Sequence, residues 1–360
     1  DKILIPRGKV TGGSSAINGQ IFLRGIPEDY DDWASWGNDE WSFEKSLPYF
    51  RKLETDTNYS DDFHGSDGPI ICHRFQPETW HESSKSFYQS CLDYGFPDCP
   101  DHNAPDSTGV GPTPLNNPNG IRWSTNLGYL MMSRHRLNLT IKANCLVHKI
   151  LFEGKQAVGV DVESGGERFE VCGNEIILSA GAIGSPQILM LSGVGPAEHL
   201  TELNIPVVLD SPGVGQNLRD HPLLPVTWKA DEKYLLDPYQ PRQQFSLRYT
   251  ATGSPMKNDM IVYMANFATD RVDRGGNRNE PKGISMLVAL NLAKSSGEIK
   301  LQSTNPNVQP ILDYNLLDDA YDRERMREAM RICAELGGHG SWEGITKERI
   351  EPLDSVLDDD

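Results

Sequence analysis

The segment GGSSAING, at residues 12–19, constrains the fold of the surrounding chain more than any other stretch. Most of its residues are Gly, Ser or Ala, so the backbone can turn with positive φ and approach another group closely. Successive N–H groups in such a turn can converge on an anion, and serine hydroxyls add further donors. The segment is consistent with a phosphate cradle, with a flat ring pressed against the backbone, and with a tight turn packed on another element.

A serine nucleophile is a further interpretation of this segment. Residues 12–16, GGSSA, differ by one residue from the G-x-S-x-G elbow, which requires a strand before the serine and a helix after it. The preceding KILIP is short and contains a proline, and the sequence after Ser14 does not begin a helix. A serine hydrolase built on Ser14 is therefore the weaker alternative.

Composition disfavours several classes of function. The 360 residues contain 34 Lys and Arg against 51 Asp and Glu, a formal net charge of −17, which argues against a nucleic-acid partner. No run of about 18 apolar residues is found, so no membrane span is expected. Six cysteines are scattered without a C-x-x-C pair, which predicts free thiols, a reducing cytoplasmic location and no zinc site.

Helical patterns recur along the chain. The stretch WSFEKSLPYFRKLE places Phe43, Leu47, Phe50 and Leu53 at helical spacing. Further helices are predicted near 82–94, over 187–193 with Ser185 as N-cap and Pro186 as first helical residue, after Pro196, and over 319–336.

Strand patterns concentrate after residue 137. Residues 137–163 predict a β-hairpin around the turn GKQ, and EIILSAGA, at 175–182, is typical of a buried parallel strand. VVLD and much of 226–300 are also expected to form strands, whereas 271–283 predicts a disorder-prone loop and Asp358–Asp360 a solvated chain end. The pattern favours an α/β domain interleaved with an α+β domain.

Several longer stretches together resemble one known family, the glucose-methanol-choline (GMC) flavin oxidoreductases. They are GKVTGGSSAINGQIFLRG with the following DYDDWASWG and WSFEKSLPYF, GSPQILMLSGVG at 184–195, GVGQNLRDHP at 213–222, and the stretch from residue 295 that begins SSGEIKLQ. The resemblance runs in order over about residues 1–335. It implies a Rossmann-like FAD-binding domain and a substrate domain built on an antiparallel sheet with helices.

The resemblance also divides the chain. It implies FAD-binding parts at 1–75 and 120–228 and substrate-binding parts at 76–119 and 229–360. No complete G-x-G-x-x-G is present, and the family's catalytic histidine is expected beyond Asp360. The chain is accordingly interpreted as a central portion of such a protein, whose Rossmann-like domain is incomplete, and as a fragment that binds FAD weakly or not at all and is inactive alone.

The family match assigns the cofactor contacts by position. Members with covalent FAD have a histidine just before the signature asparagine; Ile17 occupies that position here, so non-covalent FAD is predicted. The residues implied to contact the flavin, its phosphate arm or its adenine are Val10, Gly12, Gly13, Ser14, Asn18, Gly19, Gln20, Ile21, Val147, Ala180 and Gly181.

The implied chemistry is oxidation of a small alcohol by hydride transfer to flavin N5, with O2 or a quinone- or dye-type acceptor. A lyase of the same family that keeps FAD without net redox is the alternative, and an oligomer is possible.

The other residues considered are assigned mainly to structural segments, to the surface or to the core. His221 is assigned to a structural segment and His339 to the surface, His64, Cys72, His73 and His81 to loop surface, and Trp33, Trp36 and Trp41 to core or interdomain packing, while Trp228, Tyr263 and Phe267 fit either core or pocket floor.

Overall fold

The computed structural model describes residues 4–268 and 283–353. The predicted loop at 271–283, except Gly283, and the acidic end Asp358–Asp360 lie outside the described residues. The α-helices are α1 (Pro27–Ser35), α2 (Phe43–Leu53), α3 (Glu82–Tyr94), α4 (Met131–Ser133), α5 (Gly181–Leu191), α6 (Ala197–Glu202) and α7 (Ala320–Gly337). The strands are β1 (Glu54–Asp56), β2 (Ile70–Cys72), β3 (Gly109–Pro112), β4 (Leu146–Glu153), β5 (Gln156–Ser164), β6 (Glu167–Cys172), β7 (Val194–Gly195), β8 (Leu209–Asp210), β9 (Gln216–Leu218), β10 (Leu223–Ala230), β11 (Gln243–Tyr249), β12 (Met260–Ala268), β13 (Gly283–Leu290), β14 (Gly297–Lys300), β15 (Ile311–Asp313) and β16 (Thr346–Glu351).

The first of two compact units comprises Asp1–Leu139, His221–Leu292 and Arg323–Asp360. Its main element is a six-stranded antiparallel sheet in the order β16-β10-β13-β12-β11-β3. In the register of this sheet Ser246 lies opposite Tyr263, and Arg248 lies opposite Ile261. The predicted antiparallel sheet with helices is confirmed.

Burial on both faces explains why the central strands are apolar throughout. Nearly every residue of β12 and β13 is buried, so these strands lack the alternation of a sheet with one solvated face. Helix α3 presents small residues, including Ser83 and Ser84, whose hydroxyls donate to Asn266 Oδ1 at 2.8 and 2.7 Å. Small hydroxyl side chains therefore bring this helix close to β12 and satisfy its buried amide.

The predicted helix at residues 43–53 is confirmed as α2, with the Ser42 side chain accepting from Lys45 N. The tryptophans before it are not core residues. Trp33, Trp36 and Trp41 are all exposed, Trp36 by 71%. Trp33 and Trp41 contact each other edge to face, which covers only part of each indole, so their assignment to core packing is wrong.

The second unit comprises Thr140–Asp220 and Ala293–Asp322. It contains the antiparallel sheet β4-β5-β6, the three-stranded sheet β15-β14-β9 and the short parallel pair β7-β8. The predicted hairpin is confirmed as β4 and β5, although its first strand begins at Leu146. A buried apolar cluster holds this unit together: Met190, Leu200, Ile205, Leu218, Ile299 and Leu301.

Residues 175–182 do not form the predicted buried strand. No strand is assigned over 173–180, and Ile177 is 81% exposed. A parallel strand must pair with neighbouring strands, and within the described ranges nothing pairs with these residues. The run is apolar, as a buried strand would be, but no neighbouring strand of the described ranges pairs with it.

Helix α5 also begins earlier than predicted. Ala180 is its N-cap, and Pro186 lies inside the helix and not at its first position. The Ser185 hydroxyl nevertheless reaches back to accept from Ala180 N at 3.1 Å, so it satisfies an N-terminal N–H from within the helix.

The two compact units divide the chain at other points than the predicted FAD-binding and substrate-binding domains. The functional assignment of those domains stays a prediction. Across the described ranges, the parallel strand pairs are β1 with β2 and β7 with β8, and one isolated parallel bridge joins Asp98 to Val110. None of the helices described has the length and apolar character needed to cross a bilayer.

Candidate functional site

The glycine-rich segment forms a tight turn in the first unit. Gly12 and Gly13 have φ values of 93° and 56°, a region that favours glycine. Gly13 N donates to Val10 O at 2.8 Å, and a single 3₁₀ turn follows over Gly13–Ala16. The predicted unusual backbone is present at residues 12 and 13.

The glycines of this segment have different reasons to be glycine. A Cβ on Gly8 would lie 2.3 Å from Gly13 O, and one on Gly12 would lie 3.1 Å from Asn126. These two positions are filled by the protein itself. A Cβ on Gly13 or Gly19 would meet nothing within 4 Å, and Gly19 does not have positive φ, so the fold gives no reason for glycine at position 19.

Open space beside Gly13 and Gly19 is accompanied by exposed apolar side chains. Val10 is 55% exposed and Ile17 is 44% exposed. Nearby, Asn126 Oδ1 is buried without a hydrogen-bond partner among the described residues. An open backbone, uncovered apolar groups and an orphaned acceptor are what a bound flavin nucleotide would cover and satisfy, so the residues present fit FAD.

A second segment, missed by sequence reasoning, holds the turn in place. The Ser15 hydroxyl donates to Gly12 O at 2.6 Å and accepts from Thr125 N at 3.0 Å. The Arg122 guanidinium donates to Ala16 O and Asn18 O at 3.1 and 3.0 Å. The signal was the polar stretch 116–126, which reads as an ordinary loop until its partners are known.

Asn18, Gln20 and Ile21 are fixed by their backbones. Asn18 Oδ1 accepts from Gln20 N at 3.2 Å, and Gln20 has a φ of 67°. Gln20 O accepts from Asn116 N at 2.9 Å, and Ile21 forms an isolated antiparallel bridge with Leu115. The end of the predicted cofactor segment, residues 18–21, is therefore held in place by its hydrogen bond to Asn116 and its bridge with Leu115.

Ser14 lacks the surroundings of a hydrolytic nucleophile. Its Oγ accepts from Gly8 N at 3.1 Å, and no histidine of the described ranges hydrogen-bonds to it. Activation of a serine requires such a base. The geometry therefore gives no support to the serine hydrolase alternative.

The remaining predicted cofactor residues belong to the second unit. Val147 lies on β4 opposite Val162. Ala180 is the N-cap of α5, and Gly181 has a φ of 84° with open space where a Cβ would be. The implied contacts of these three residues with the adenine and phosphate stay predictions.

A buried ion-pair network lies elsewhere in the first unit. It consists of Arg24, Glu54, Asp56, His64, Arg74 and Asp101, and is called the ion-pair network below. Arg24 pairs with Glu54, and Arg74 contacts Asp56 and Asp101 at 2.8 and 2.5 Å. His64 Nε2 lies 3.1 Å from Asp101 Oδ2, and its Nδ1 lies 2.8 Å from Asp61 Oδ1.

Glu54, Asp56 and His64 bring three possible metal-ligand atoms within 4.8 Å of one another. The two arginines already bind the carboxylates, and a cation added between them would meet Arg24 and Arg74 at short range. The arrangement is explained as a structural ion-pair network.

The pKa shifts of His64 and Asp101 agree with the contacts of the ion-pair network. Burial lowers the pKa of His64, but Asp101 and Asp61 outweigh that effect and raise it above the ordinary value. Burial acts upward on Asp101, yet His64 and Arg74 bring its pKa down to about 2. The carboxylates around His64 therefore favour its protonated form.

His64, Cys72, His73 and His81 are not loop surface as predicted. His64 and Cys72 are buried, and His73 and His81 are half-buried. Cys72 ends β2 and His73 follows it, whereas His64 belongs to the ion-pair network and His81 is the N-cap of α3. The polar loop sequence gives no sign of this burial. Of the three aromatic residues assigned to core or pocket floor, Trp228 and Phe267 are buried, whereas Tyr263 lines a cavity.

Two models of one protein family together match most of the chain. The GMC oxidoreductase N-terminal family model matches residues 1–223, and the C-terminal model matches residues 293–357. The chain belongs to the GMC oxidoreductase family. Membership confirms the resemblance, the oxidoreductase class and FAD as the cofactor of the family.

Relatives in this GMC family cover nearly the whole chain. An uncharacterized GMC-type oxidoreductase of Rhodococcus erythropolis is 39% identical over 334 residues, 92% of this chain and 64% of its own length. Oxygen-dependent choline dehydrogenases of Photobacterium profundum and Burkholderia thailandensis are 32% and 36% identical, over 99% and 92% of this chain. The chain spans 66% and 62% of the length of those two dehydrogenases.

Solved GMC structures confirm the fold. Pyridoxine 4-oxidase from Mesorbium loti superposes with a TM-score of 0.88 at 26% identity, covering 96% of this chain and 68% of its own. An FAD-dependent oxidoreductase from Chaetomium thermophilum gives 0.83 at 25% identity, covering 96% and 72%.

These matches correct one interpretation and weigh against another. The chain is not merely a central portion, because both the N-terminal and the C-terminal GMC models match it. The relatives named above are oxidases, dehydrogenases or oxidoreductases, which does not favour the lyase alternative.

Neither histidine weighed in the sequence carries signs of a catalytic base. His221 is exposed. His339 caps a 3₁₀ turn at Ser341 and lies 3.2 Å from Asp93, and its side chain is 36% exposed. A catalytic histidine beyond Asp360 stays a prediction.

Proposed function

We propose that this protein oxidises a small alcohol to an aldehyde or ketone with non-covalent FAD. The observation that carries the proposal is the open backbone at Gly13 and Gly19 beside the orphaned Asn126 Oδ1. When bound there, FAD accepts a hydride from the alcohol carbon at its flavin N5. The protein's contribution is to bind, to orient and to exclude water.

The roles of the binding residues follow from their geometry. Gly12 turns the chain with positive φ against Asn126, so that Gly13 lies close to the cofactor, and Ser14, Asn18 and Gly19 continue the contact surface. Ser15 and Arg122 act as positioning residues because they fix the carbonyls of this turn. Gln20 and Ile21 extend the surface, and Val147, Ala180 and Gly181 are assigned to the adenine and phosphate end of the cofactor.

Absence of a covalent link follows from the side chain at position 17. Ile17 is apolar and has no nucleophilic atom, so it can pack on the flavin but cannot bond to it. After denaturation and precipitation of the holoprotein, we expect the yellow absorbance in the supernatant. Flavin absorbance in the precipitate would contradict this part of the proposal.

The remaining assignments belong to the same proposal. The electron acceptor is O2 or a quinone- or dye-type compound, and the domain boundaries are those given by the family resemblance. All six cysteines are free in the structure, which supports a cytoplasmic location. The exposed tryptophans of α1 and its flanks leave an oligomer possible.

The test is anaerobic mixing of the FAD-loaded protein with primary alcohols while the flavin absorbance is followed. Bleaching is expected for an alcohol oxidoreductase, and a family lyase would leave the flavin oxidised. FAD is supplied in excess, and its affinity for the 360-residue chain is measured by fluorescence quenching.

A matched glycine pair tests the cofactor site itself. Gly13 and Gly165 have φ values of 56° and 64°, and neither would place a Cβ within 4 Å of another group. Gly13→Val and Gly165→Val therefore carry similar backbone strain. We expect Gly13→Val alone to weaken FAD binding, by about ten-fold or more. Equal affinities in the two variants would remove Gly13 from the site.

A further inference from the structure

A cavity of about 240 Å³ lies in the first unit, and part of its lining follows the predicted flavin segment closely in sequence. Its lining includes Arg24, Ile26, Asp29, Arg248, Tyr263 and Asn291. Gly25, which also lines it, is four residues after Ile21, so at most about 14 Å of extended chain separates the two. The cavity is smaller than pockets for drug-sized ligands, which suits a compound of a few carbons.

Arg248 is the unusual group of this cavity. It is 5% exposed, and its guanidinium donates to neutral acceptors: His102 O at 3.2 Å, Ser107 Oγ at 2.8 Å and Arg24 O at 3.0 Å. No carboxylate of the described ranges lies within ion-pair distance of it. Its Nε and one Nη2 proton have no hydrogen-bond partner there.

Other buried arginines of this unit do have anionic partners. Arg24 pairs with Glu54, Arg74 with Asp56 and Asp101, and Arg325 with Asp259. A buried cation without a counterion is costly, and proteins keep one chiefly where a ligand or reaction supplies the opposite charge. Arg248 therefore marks a place where an anion is missing.

Tyr263 supplies a second donor to the same space. Arg248 on β11 lies opposite Ile261, two residues from Tyr263 on β12, so both side chains lie on one face of the sheet as diagonal neighbours. The Tyr263 hydroxyl makes no hydrogen bond to the described residues. Burial raises the pKa of this phenol, with Arg248 opposing, so its O–H remains a donor at neutral pH.

Asp29 is the one carboxylate in the described lining, and it hydrogen-bonds to the backbone without forming an ion pair with Arg248. Its Oδ2 accepts from Ile26 N at 2.9 Å and lies against Gly25. Burial raises the pKa of Asp29, and the Ile26 N–H and the Arg248 charge oppose that shift. Arg24 pairs with Glu54, so Arg248 is the cation of this cavity that has no ion-pair partner among the described lining residues.

We propose that this cavity binds a carboxylate group, held by an ion pair with Arg248 and a hydrogen bond from Tyr263, and that the substrate is an alcohol bearing that carboxylate. This inference rests on the proposed oxidation of an alcohol. A planar guanidinium is suited to a carboxylate, and it repels a quaternary ammonium group at the same position. The substrate class would thus differ from that named for the choline dehydrogenase relatives.

Direct binding tests the cavity without any turnover. Propionate, propanamide and propylammonium have similar size and differ in charge, and each is titrated calorimetrically into the 360-residue chain. We expect propionate to bind about ten-fold or more tightly than either of the other two. Equal affinities for the three, or no binding of propionate, would overturn the inference.

Variants locate the binding. Arg248→Gln should abolish propionate binding, and Tyr263→Phe should weaken it about three-fold. Because Arg248→Gln also loses hydrogen bonds to backbone carbonyls, its folding is checked by circular dichroism. Tyr263→Phe keeps the packing and decides the question if Arg248→Gln does not fold. Asp29→Asn keeps an acceptor for Ile26 N and should tighten binding, whereas weaker binding would contradict the account.

A substrate comparison separates this inference from the proposed function. Flavin reduction is measured with glycolate, ethanol and choline as alcohols. Preference for glycolate that falls about three-fold in Tyr263→Phe, in step with propionate binding, supports the inference. Reduction by ethanol or choline in preference to glycolate overturns it while the proposed function stands. Propionate binding together with no flavin reduction by any alcohol overturns the proposed function and the substrate assignment, and leaves a carboxylate site of another use.

Discussion

Asp101 and His102 are consecutive residues, yet their side chains belong to two electrostatically opposite regions. Asp101 joins the ion-pair network, where it contacts His64 and Arg74. The His102 ring is fully buried, and its Nε2 lies 3.1 Å from Ser246 O and 3.3 Å from Gly111 O, while its backbone carbonyl binds Arg248. In the ion-pair network each cation has a carboxylate. At the Arg248 cavity the cation does not.

The pKa values of the two buried histidines, His64 and His102, shift in opposite directions. Carboxylates overcome burial at His64 and raise its pKa, whereas burial, with Arg248 adding to it, lowers the pKa of His102 to about 3. Burial alone therefore does not set the charge of a histidine; its neighbours do. A region whose charges are already paired is structural, and a region with an unpaired charge has room for a ligand.

The largest expected effect comes from breaking the ion-pair network. Arg74→Met leaves Asp56 and Asp101 buried without their shared cation. Removing one partner of a buried pair typically costs about 3–5 kcal/mol, so we expect a loss of that size in the free energy of unfolding, measured by urea denaturation. The control is Lys45→Met, which removes an exposed pair with Glu40 and should leave the unfolding curve unchanged. A similar small effect for Arg74→Met would show that the network is not structural.

A smaller loss is expected at the cavity. Arg248→Met strands carbonyls at His102 and Arg24 but leaves no buried carboxylate, and it removes an unpaired charge. We expect a loss of about 1–2 kcal/mol, measured in the same way and smaller than that of Arg74→Met. If Arg248→Met were the more damaging change, Arg248 would be a structural cation and the comparison would fail.

The last comparison concerns the pH dependence of stability, which has opposite signs at the two histidines. A raised pKa in the folded state means that His64 contributes stability below its unfolded pKa near 6.5, and that this is lost as pH rises through the folded value. The depressed pKa of His102 has the reverse sign: stability is present above about 6.5 and is lost as pH falls toward about 3. Each unit of pKa difference corresponds to about 1.4 kcal/mol.

Denaturation from pH 4 to pH 9 checks these signs. His64→Gln should flatten the profile above pH 6.5, and His102→Gln should flatten it below. Identical pH profiles for the two variants would mean that the surroundings of the histidines do not differ as described.

Elements that depend on interactions between residues close in sequence were predictable, and those that depend on distant residues were not. Helices α2, α3 and α7 and the hairpin β4-β5 were predictable because their patterns, caps and turns are local. Residues 175–182 misled because an apolar run needs neighbouring strands, and none pairs with it in the described part of the chain. The exposed tryptophans misled for a related reason, since hydrophobicity does not specify what covers a side chain.

The candidate site divides in the same way. The sequence by itself determined the family and the glycine-rich segment 12–19, because successive small residues are required wherever a backbone must turn with positive φ or admit a close neighbour. Only the tertiary structure showed that Gly8 and Gly12 face the protein whereas Gly13 and Gly19 face open space. It also decided which arginines have counterions, since Arg248 and its neighbours come from segments more than 140 residues apart. Charge pairing depends on distances of a few ångströms in space, and a linear pattern does not contain them.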